Sequence, residues 1–279
     1  MIPQNVEPLF KGAGRRARIL AIANQKGGVG KTTTAVNLAT ALAACGKRVL
    51  LVDMDPQGNA STGVGLVRSH RDKSVYQILV QGAPVVDTML ETMVPGMTLV
   101  PSSIDLSGAE VELVNHPRRE HKLGDALEQV AEDFDFVLID CPPALGLLTL
   151  NALTAADAVL VPLQTEFYAL EGLSHLLRTV ERVKRSFNPR LEIQGIVLTM
   201  VDRRNNLSDM VARDVRAHLG SKVYETVIPR NVRVSEAPSH GKPVLLYDLR
   251  CAGAQAYIHL AGEILKRERK TPGGPVLVS

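Results

Sequence analysis

One short segment constrains the fold of this chain more than any other. Residues 24–34, with the sequence NQKGGVGKTTT, follow an apolar run at 19–23 and lead into a helical pattern that reaches residue 45 and ends at Gly46. Between a buried strand and a helix, a glycine-rich loop can turn its backbone N–H groups toward an anion, and the helix N-terminus adds partial positive charge. The segment therefore predicts a phosphate-binding loop in an α/β fold.

This loop departs from the usual GxxxxGK[ST] pattern at its start. Gln25 stands where that pattern has glycine, and a second lysine, Lys26, precedes the glycine pair. Lys31 holds the position that reaches the β- and γ-phosphates of a nucleotide, and Thr32 holds that of the hydroxyl that binds Mg²⁺. The expected nucleotide contacts in the loop form one run: Gly27, Gly28, Val29, Gly30, Lys31, Thr32 and Thr33.

The alternation of an apolar run with a helical segment continues along the chain. Further β-branched runs lie at residues 49–52, 98–100, 136–139, 158–161 and 196–200. The intervening segments are long enough for crossover helices, which parallel strands require. The sequence thus predicts an α/β fold with a mostly parallel, twisted sheet of at least six strands flanked by helices.

The domain organisation follows from where this pattern begins and ends. Residues 1–17 are rich in Pro, Gly and basic residues and show no periodicity, so we expect a disordered basic arm. Residues 18–270 contain no repeat or linker and are predicted to form a single domain. A Pro/Gly tail at 271–279 is predicted to be disordered.

Acidic residues follow two of the predicted strands. Asp53 and Asp55 come after the run at 49–52, and Asp140 comes after the run at 136–139. The carboxyl ends of parallel strands border the crevice where α/β proteins bind ligands. Asp140 is therefore the candidate Walker-B-type acid that holds Mg²⁺ through water, and either Asp53 or Asp55 could orient an attacking water or support the metal.

Composition removes several other classes of protein. The formal net charge of +3 is too small for a protein that coats nucleic acid through bulk charge. The three cysteines lie about a hundred residues apart, which is not the spacing of a zinc or iron–sulfur site. No apolar run approaches the ~20 residues that span a bilayer, and no signal core is present at the N-terminus. We expect a reduced, cytoplasmic protein.

Five stretches together resemble the ParA/Soj family of chromosome- and plasmid-partitioning ATPases, within the deviant-Walker-A (MinD-like) group of P-loop proteins. They are NQKGGVGKTTT at 24–34, LVDMDPQGNAST at 51–62, FVLIDCPPA at 136–144, VPLQTEFYALE at 161–171 and IPRNVRVSEAPSHGKP at 228–243. The first marks the broad group, and the last is specific to chromosomal ParA/Soj proteins. The resemblance spans about residues 18–268.

This resemblance implies an ATP-driven switch with slow, Mg²⁺-dependent hydrolysis of ATP to ADP and phosphate. ATP would promote a sandwich dimer in which Lys26 of each protomer reaches the phosphates bound by the other, so that dimer stability depends on the nucleotide. Gly27 would be small because the two loops approach closely. Asp55 matches the residue that positions the hydrolytic water and supports the metal, while Lys26 and Lys31 would stabilise the transferred phosphoryl group.

Further contacts are implied by the same resemblance. Met200, Pro229 and Arg230 would surround the adenine. A ParB-type centromere-binding partner would stimulate hydrolysis and release the protein from nonspecific double-stranded DNA, which would place the protein at the nucleoid.

A basic segment supports contact with DNA. Between residues 203 and 250, nine Lys/Arg face five acids, an excess of four, and the segment has no base-reading motif. Such a patch suits contact with the phosphate backbone without base readout, and a dimer would double the contacts. The candidate DNA-binding residues are Arg203, Arg213, Arg216, Arg230, Arg233 and Lys242.

Three alternatives stay open at this stage. A MinD-like membrane-associated division-site ATPase would need a C-terminal amphipathic helix, which the two prolines and two glycines of 271–279 disfavour. A metal-cluster carrier would need paired cysteines. A binding module without hydrolysis would have no use for Asp55. The sequence leaves open whether the protein segregates a chromosome or a plasmid.

Overall fold

The computed structural model describes residues 16–202 and 204–270. Within them, one sheet has the strand order β3-β4-β2-β5-β1-β6-β7-β8. Every neighbouring pair is parallel except β3 and β4. The strands are β1 Arg18–Ile22, β2 Val49–Asp53, β3 Leu90–Glu91, β4 Met97–Val100, β5 Phe136–Asp140, β6 Ala158–Gln164, β7 Glu192–Val201 and β8 Val223–Pro229.

Helices connect the parallel strands and cover both faces of the sheet. They are α1 Lys31–Ala44, α2 Asn59–Gly63, α3 Ala109–Glu112, α4 Lys122–Leu127, α5 Leu147–Ala155, α6 Ala169–Ser186, α7 Asn206–Leu219, α8 Val232–Glu236, α9 Val244–Tyr247 and α10 Ala252–Lys270. Helices on both faces explain why the strands have continuous apolar runs instead of alternating ones.

Strand β1 shows this double burial at the centre of the sheet. Leu20 and Ile22 pack with residues of α1 and α10 on one face. Ile19 and Ala21 pack on the other face, in a cluster that includes residues of α5, α6 and α7. The two apolar layers hold the sheet between them and fix the strand ends that carry the site.

The predicted mostly parallel α/β fold is confirmed, and each of the six predicted strands is present. Two more strands were missed. β3 has two residues at the sheet edge, too few for a pattern. β8 has the sequence VYETVIP, in which Glu225 is exposed and Thr226 half-buried, so its apolar run is interrupted.

The predicted N-terminal boundary is two residues too late. Arg16 forms an ion pair with Asp157 at 3.0 Å, and Ala17 is buried in the core, so both belong to the folded body instead of the arm. The predictions for residues 1–15 and 271–279 lie outside the described residues. No described helix has the length and apolarity needed to cross a bilayer.

Helix α7 buries only the middle of its apolar stripe. Leu207, Val211, Val215 and Leu219 are spaced four residues apart and share one side of the helix. Val211 and Val215 are buried, but Leu207 is 38% exposed and Leu219 is half-buried. Leu207, in the first turn of α7, lines a cavity instead of the core.

The register of the central strands brings the predicted site together. Asp140 at the end of β5 lies opposite Ile22 of β1 and Asp53 of β2. The phosphate loop follows β1 directly. The loop and both acidic strand ends therefore meet at the carboxyl edge of the sheet, as the ligand crevice of parallel α/β proteins requires.

Candidate nucleotide-binding site

Hydrogen bonds to two distant strands hold the loop in place. The Asn24 amide nitrogen donates to the Pro162 carbonyl at 2.8 Å, and its oxygen accepts the Lys26 N–H at 3.0 Å. The Thr199 hydroxyl donates to the Val29 carbonyl at 2.8 Å. Since Pro162 lies in β6 and Thr199 in β7, the sheet itself sets the shape of the loop.

Two of the loop glycines have backbone conformations that disfavour other residues. Gly28 has φ +74°, and Gly30, which immediately precedes α1, has φ +87°. These left-handed conformations turn the chain so that α1 begins with its free N–H groups toward the crevice. Gly27 is different, because its φ lies outside this range and no atom lies within 4 Å of the place that an alanine β-carbon would occupy. The fold of one chain therefore does not require glycine there.

Lys31 lies inside the loop. Its side chain is largely buried, and its Nζ donates to the Lys26 carbonyl at 3.0 Å. Burial lowers the pKa of this amine, while the nearby Asp140, Cys141 and Asp55 act to raise it. The Lys31 ammonium group is thus held at the turn of the loop, where it can bind an anion.

Asp140 has the most unusual environment in the site. It is fully buried, and neither carboxylate oxygen has a hydrogen-bond partner among the described residues. Burial raises its pKa well above the usual range, and the charge of Asp53 adds to this, while Thr32 and Lys31 act to lower it. A buried carboxylate without partners is costly unless a ligand satisfies it.

This environment fits Mg²⁺. Hard oxygen donors suit that cation, which is usually held by one or two carboxylates together with waters and substrate phosphates. Thr32 and Asp140 supply such oxygens. The described residues contain no group of three His, Cys, Asp or Glu that could hold a metal alone.

Asp53 and Asp55, which the sequence left as alternatives, have distinct surroundings. One oxygen of Asp53 accepts the Ser61 N–H at 2.8 Å and the Ser61 hydroxyl at 2.7 Å, and the other accepts the Asp55 N–H at 3.3 Å. Burial raises the pKa of Asp53 to about 6. Its oxygens already hold the chain after β2 in place, so Asp53 has a structural role.

Asp55 retains an oxygen for other partners. Its Oδ1 accepts the Gln57 N–H at 3.0 Å, and its Oδ2 makes no hydrogen bond among the described residues. The residue is 9% exposed. Asp55 therefore remains the candidate for orienting a water molecule.

The Lys26 side chain is paired with a residue outside the loop. Its ammonium group pairs with the Glu166 carboxylate just after β6, and the two side chains are 47% and 42% exposed. The predicted action of Lys26 across a dimer interface is not tested by the fold of one chain. The pair shows that Lys26 can reach beyond its own loop.

The residues predicted around the adenine lie together. Pro229 of β8 is in register with Val201 of β7, and the Arg230 N–H donates to the Val201 carbonyl at 3.1 Å. Met200 and Arg230 line one cavity with Glu166. The Met200 methyl group would lie 3.8 Å from a β-carbon at Gly30, so this cavity adjoins the phosphate loop.

The candidate DNA-binding residues do not form one row. Arg213 is exposed and Arg216 half-exposed on α7. Arg233 pairs with Glu236 and Asp248, which reduces its free charge. Lys242 lines a cleft with Thr32 and Thr33.

The remaining two candidates lie elsewhere. Arg230 borders the cavity described above. Arg203 lies outside the described residues. The candidate DNA-binding residues that the structure describes are thus spread between α7 and the edge of the crevice.

Sequence reasoning missed three polar residues that shape the site: Asn24, Glu166 and Thr199. Glu166 could have been found, because it is an acid just beyond a strand end, as Asp53 and Asp140 are. Asn24 begins the loop motif, but its contact with Pro162 spans 138 residues. The Thr199 contact spans 170 residues, and no local pattern signals either contact.

Comparison with known proteins agrees with this geometry. A family model described as an AAA domain matches residues 17–193. The chromosome partitioning protein ParA of Caulobacter vibrioides is 65% identical over 254 residues, covering 90% of this chain and 95% of that protein. The sporulation initiation inhibitor protein Soj of Bacillus subtilis is 56% identical, covering 88% of this chain and 98% of that protein.

Solved structures share the fold. A Mycobacterium smegmatis protein described as cobyrinic acid a,c-diamide synthase, with bound ADP and magnesium, aligns with a TM-score of 0.81 and 39% identity, over 94% of this chain and all of that one. The cell division ATPase MinD of Pyrococcus furiosus aligns with a TM-score of 0.75 and 28% identity, over 90% and 99% of the two chains.

The phosphate loop, the acidic strand ends and the relatives that match nearly the full described length point to the same group. The chain belongs to the ParA/Soj family of chromosome-partitioning proteins.

Proposed function

We propose that this protein is a DNA-partitioning ATPase that dimerises when it binds ATP and segregates a chromosome or plasmid. The observation that carries the proposal is the fully buried Asp140 carboxylate, whose oxygens lack partners among the described residues. It lies beneath a phosphate loop that ends at Lys31. Such a carboxylate is explained by a Mg²⁺–nucleotide ligand, and the ParA relative supplies the biological context.

Each site residue has a proposed role. The N–H groups from Gly27 to Thr33 and the Lys31 ammonium group bind the phosphates, while Met200, Pro229 and Arg230 contact the base. Thr32 and Asp140, with support from Asp55, would hold Mg²⁺. When bound, the cation would offset negative charge on the phosphate oxygens.

Hydrolysis is proposed to depend on positioning. Asp55 has an oxygen free of partners among the described residues and would orient the water, while Lys26 and Lys31 stabilise the developing charge. No side chain here is a strong general base, so slow intrinsic turnover is expected.

The dimer is proposed to couple ATP to DNA. Lys26 has an exposed side chain and its contact with Glu166 is a surface ion pair, which costs little to exchange for a phosphate of a second protomer. Two protomers would double the basic contacts with DNA. A ParB-type protein would stimulate hydrolysis, and hydrolysis would release the dimer from DNA. The protein would act at the nucleoid, within the cytoplasm.

Retention of protein on nonspecific duplex DNA, measured with ATP, with ADP and without nucleotide, tests this proposal. We expect retention with ATP only. Asp55→Ala should bind ATP, accumulate as a dimer and stay on DNA, whereas Lys31→Ala should bind no nucleotide. A single monomeric species of Asp55→Ala in sedimentation at saturating Mg-ATP would overturn the dimer mechanism.

The alternative of a MinD-like membrane-associated ATPase has no specific support here. The MinD structure shares 28% identity with this chain and the ParA relative shares 65%. Vesicle binding that requires ATP, in place of DNA retention, would favour the alternative.

A further inference from the structure

Helix α6 has an outer face with an unusual concentration of arginine. Leu173, Leu176 and Val180 of its inner face are buried against the sheet. On the outer face Arg178, Arg182 and Arg185 are all exposed. Their spacing of four and three residues places them on one side of the helix. We call these three residues the α6 arginine row.

The α6 arginine row has an excess of positive charge, since three arginines and one acid, Glu181, line the same depression. Among the described residues, none of the three guanidinium groups forms an ion pair with a carboxylate. Arg178 makes a single hydrogen bond, from Nε to the Ser174 carbonyl at 3.3 Å. Glu181 is an acid on the same helix, but it too is absent from any ion pair of the described residues. Arg233 provides the contrast, because two carboxylates hold it.

The shape of this face suits a polyanion better than a peptide. At 1.5 Å per residue, the row extends for about 10 Å along a rigid helix, a length that spans several phosphate groups of a duplex strand. Arg178 and Arg182 also border a shallow depression next to Gln25 and Leu145. Hence the row begins beside the phosphate loop. His175 lines that depression, but no Phe, Tyr or Trp does, and the two arginines favour contact with phosphates over stacking on bases.

The position of α6 in the fold extends a surface already considered. α6 connects β6 to β7, and α7 connects β7 to β8. Both helices pack into the same apolar cluster on one face of the sheet. Because they cover consecutive strand pairs, they are neighbours in one layer. The α6 arginine row and the Arg213 and Arg216 side chains of α7 therefore belong to the same side of the protein.

We propose that the α6 arginine row is a contact surface for the phosphate backbone of duplex DNA, in addition to the basic residues of α7. This inference rests on the proposed DNA-binding function and names a second place where it acts. Three unpaired cations on one rigid face, next to two more on the adjacent helix, complement a regular row of phosphates.

The salt dependence of DNA affinity tests the row directly. Each phosphate contact contributes about 0.9 to the slope of log affinity against log salt concentration. The triple variant Arg178→Gln, Arg182→Gln, Arg185→Gln, measured with ATP on duplexes of two unrelated sequences, should lose about one unit of slope per arginine in contact. Both sequences should be affected equally.

A matched variant controls for net charge. Arg68→Gln, Lys73→Gln, Arg118→Gln removes three exposed positive charges from other parts of the surface and should leave the slope unchanged. Sedimentation with ATP should show the same dimer fraction for both triple variants and the wild type.

The possible outcomes distinguish a failure of the α6 inference from a failure of the proposed DNA-binding function. If the wild type binds DNA and the α6 variant has the wild-type slope, the α6 surface is refuted and the proposed function stands. A weaker slope together with loss of the dimer would also refute direct contact. If the wild type shows no DNA binding with ATP, the proposed function itself fails, and the α6 inference fails with it.

Discussion

Replacing Asp140 with asparagine should stabilise the nucleotide-free protein and weaken its response to Mg-ATP. The substitution keeps the side-chain volume and removes a charge that is fully buried without partners among the described residues. Burial and the charge of Asp53 both raise the pKa of Asp140, which means that the fold disfavours its ionised form. A site selected for folding alone would not keep this carboxylate.

The size of the effect follows from the buried charge, because asparagine is still a polar group and the substitution removes only the extra cost of the charge. We take that extra cost as about 1–3 kcal/mol, the range for a buried unsatisfied group. For a domain of about 250 residues, 1 kcal/mol corresponds to about 2 °C in Tm. Asp140→Asn should therefore raise the Tm of the nucleotide-free protein by about 2–6 °C. The wild type should gain about 2.7 kcal/mol at a ligand concentration one hundred times its Kd, and the variant should gain much less.

Scanning calorimetry at pH 7, first with a chelator and then with Mg-ATP, measures both effects. Ser61→Ala is a suitable control, because it removes the hydroxyl that donates to Asp53 at 2.7 Å. It should lower the free energy of unfolding by about 1–2 kcal/mol and preserve the gain from Mg-ATP. A lower Tm for nucleotide-free Asp140→Asn, or an undiminished gain from Mg-ATP, would refute the assignment.

The pH dependence of stability gives a second measure of the same carboxylates. Burial raises the pKa of Asp53 to about 6 and that of Asp140 above its usual range. The folded state therefore binds protons more readily than the unfolded state at these two groups. For Asp53 this contribution to stability is fully present below about pH 4 and is lost as the pH rises through about 6. The raised pKa of Asp140 gives a loss in the same direction as the pH rises. Urea unfolding at pH 5 and pH 7 should show a smaller loss in Asp140→Asn than in the wild type.

Three further outcomes are expected. Gly30→Ala should lower the free energy of unfolding by about 1–2 kcal/mol, because φ +87° is strained for alanine; an unchanged urea midpoint would contradict this. Gly27→Ala should leave that midpoint within about 0.5 kcal/mol of the wild type but reduce the ATP-dependent dimer in sedimentation, and a normal dimer would argue against close approach of the two loops. Glu166→Gln should change the free energy of unfolding by less than about 1 kcal/mol, since its pair with Lys26 is half-exposed; a larger loss in urea unfolding would show that the pair is structural.

Much of the site could be predicted because its chemistry is local in sequence. The run from residue 24 to 34 needs only a strand before it and a helix after it to form a phosphate loop, and both neighbours have strong periodicity. Asp53 and Asp140 were found because an acid after an apolar run marks a strand end. In a parallel sheet, such ends gather at one edge whatever the strand order.

The sequence could not show that Asp53 and Asp55 have different roles. Asp53 and Asp55 are two residues apart and both follow β2, and they differ only in their partners. Ser61, on the helix after β2, donates twice to Asp53 and leaves Asp55 for another role. The family resemblance favoured Asp55, and the hydrogen bonds supply a physical reason for that choice.

The amino-acid sequence by itself determined the strand-loop-helix unit, the buried parallel sheet and the carboxylates at its edge, since each depends on residues close together in the chain. The tertiary structure decided which side chains those groups meet. Glu166 pairs with Lys26 across 140 residues, and Thr199 reaches Val29 across 170. Such contacts depend on which strands the crossover helices make neighbours, and that order arises from packing of the whole core rather than from any local pattern.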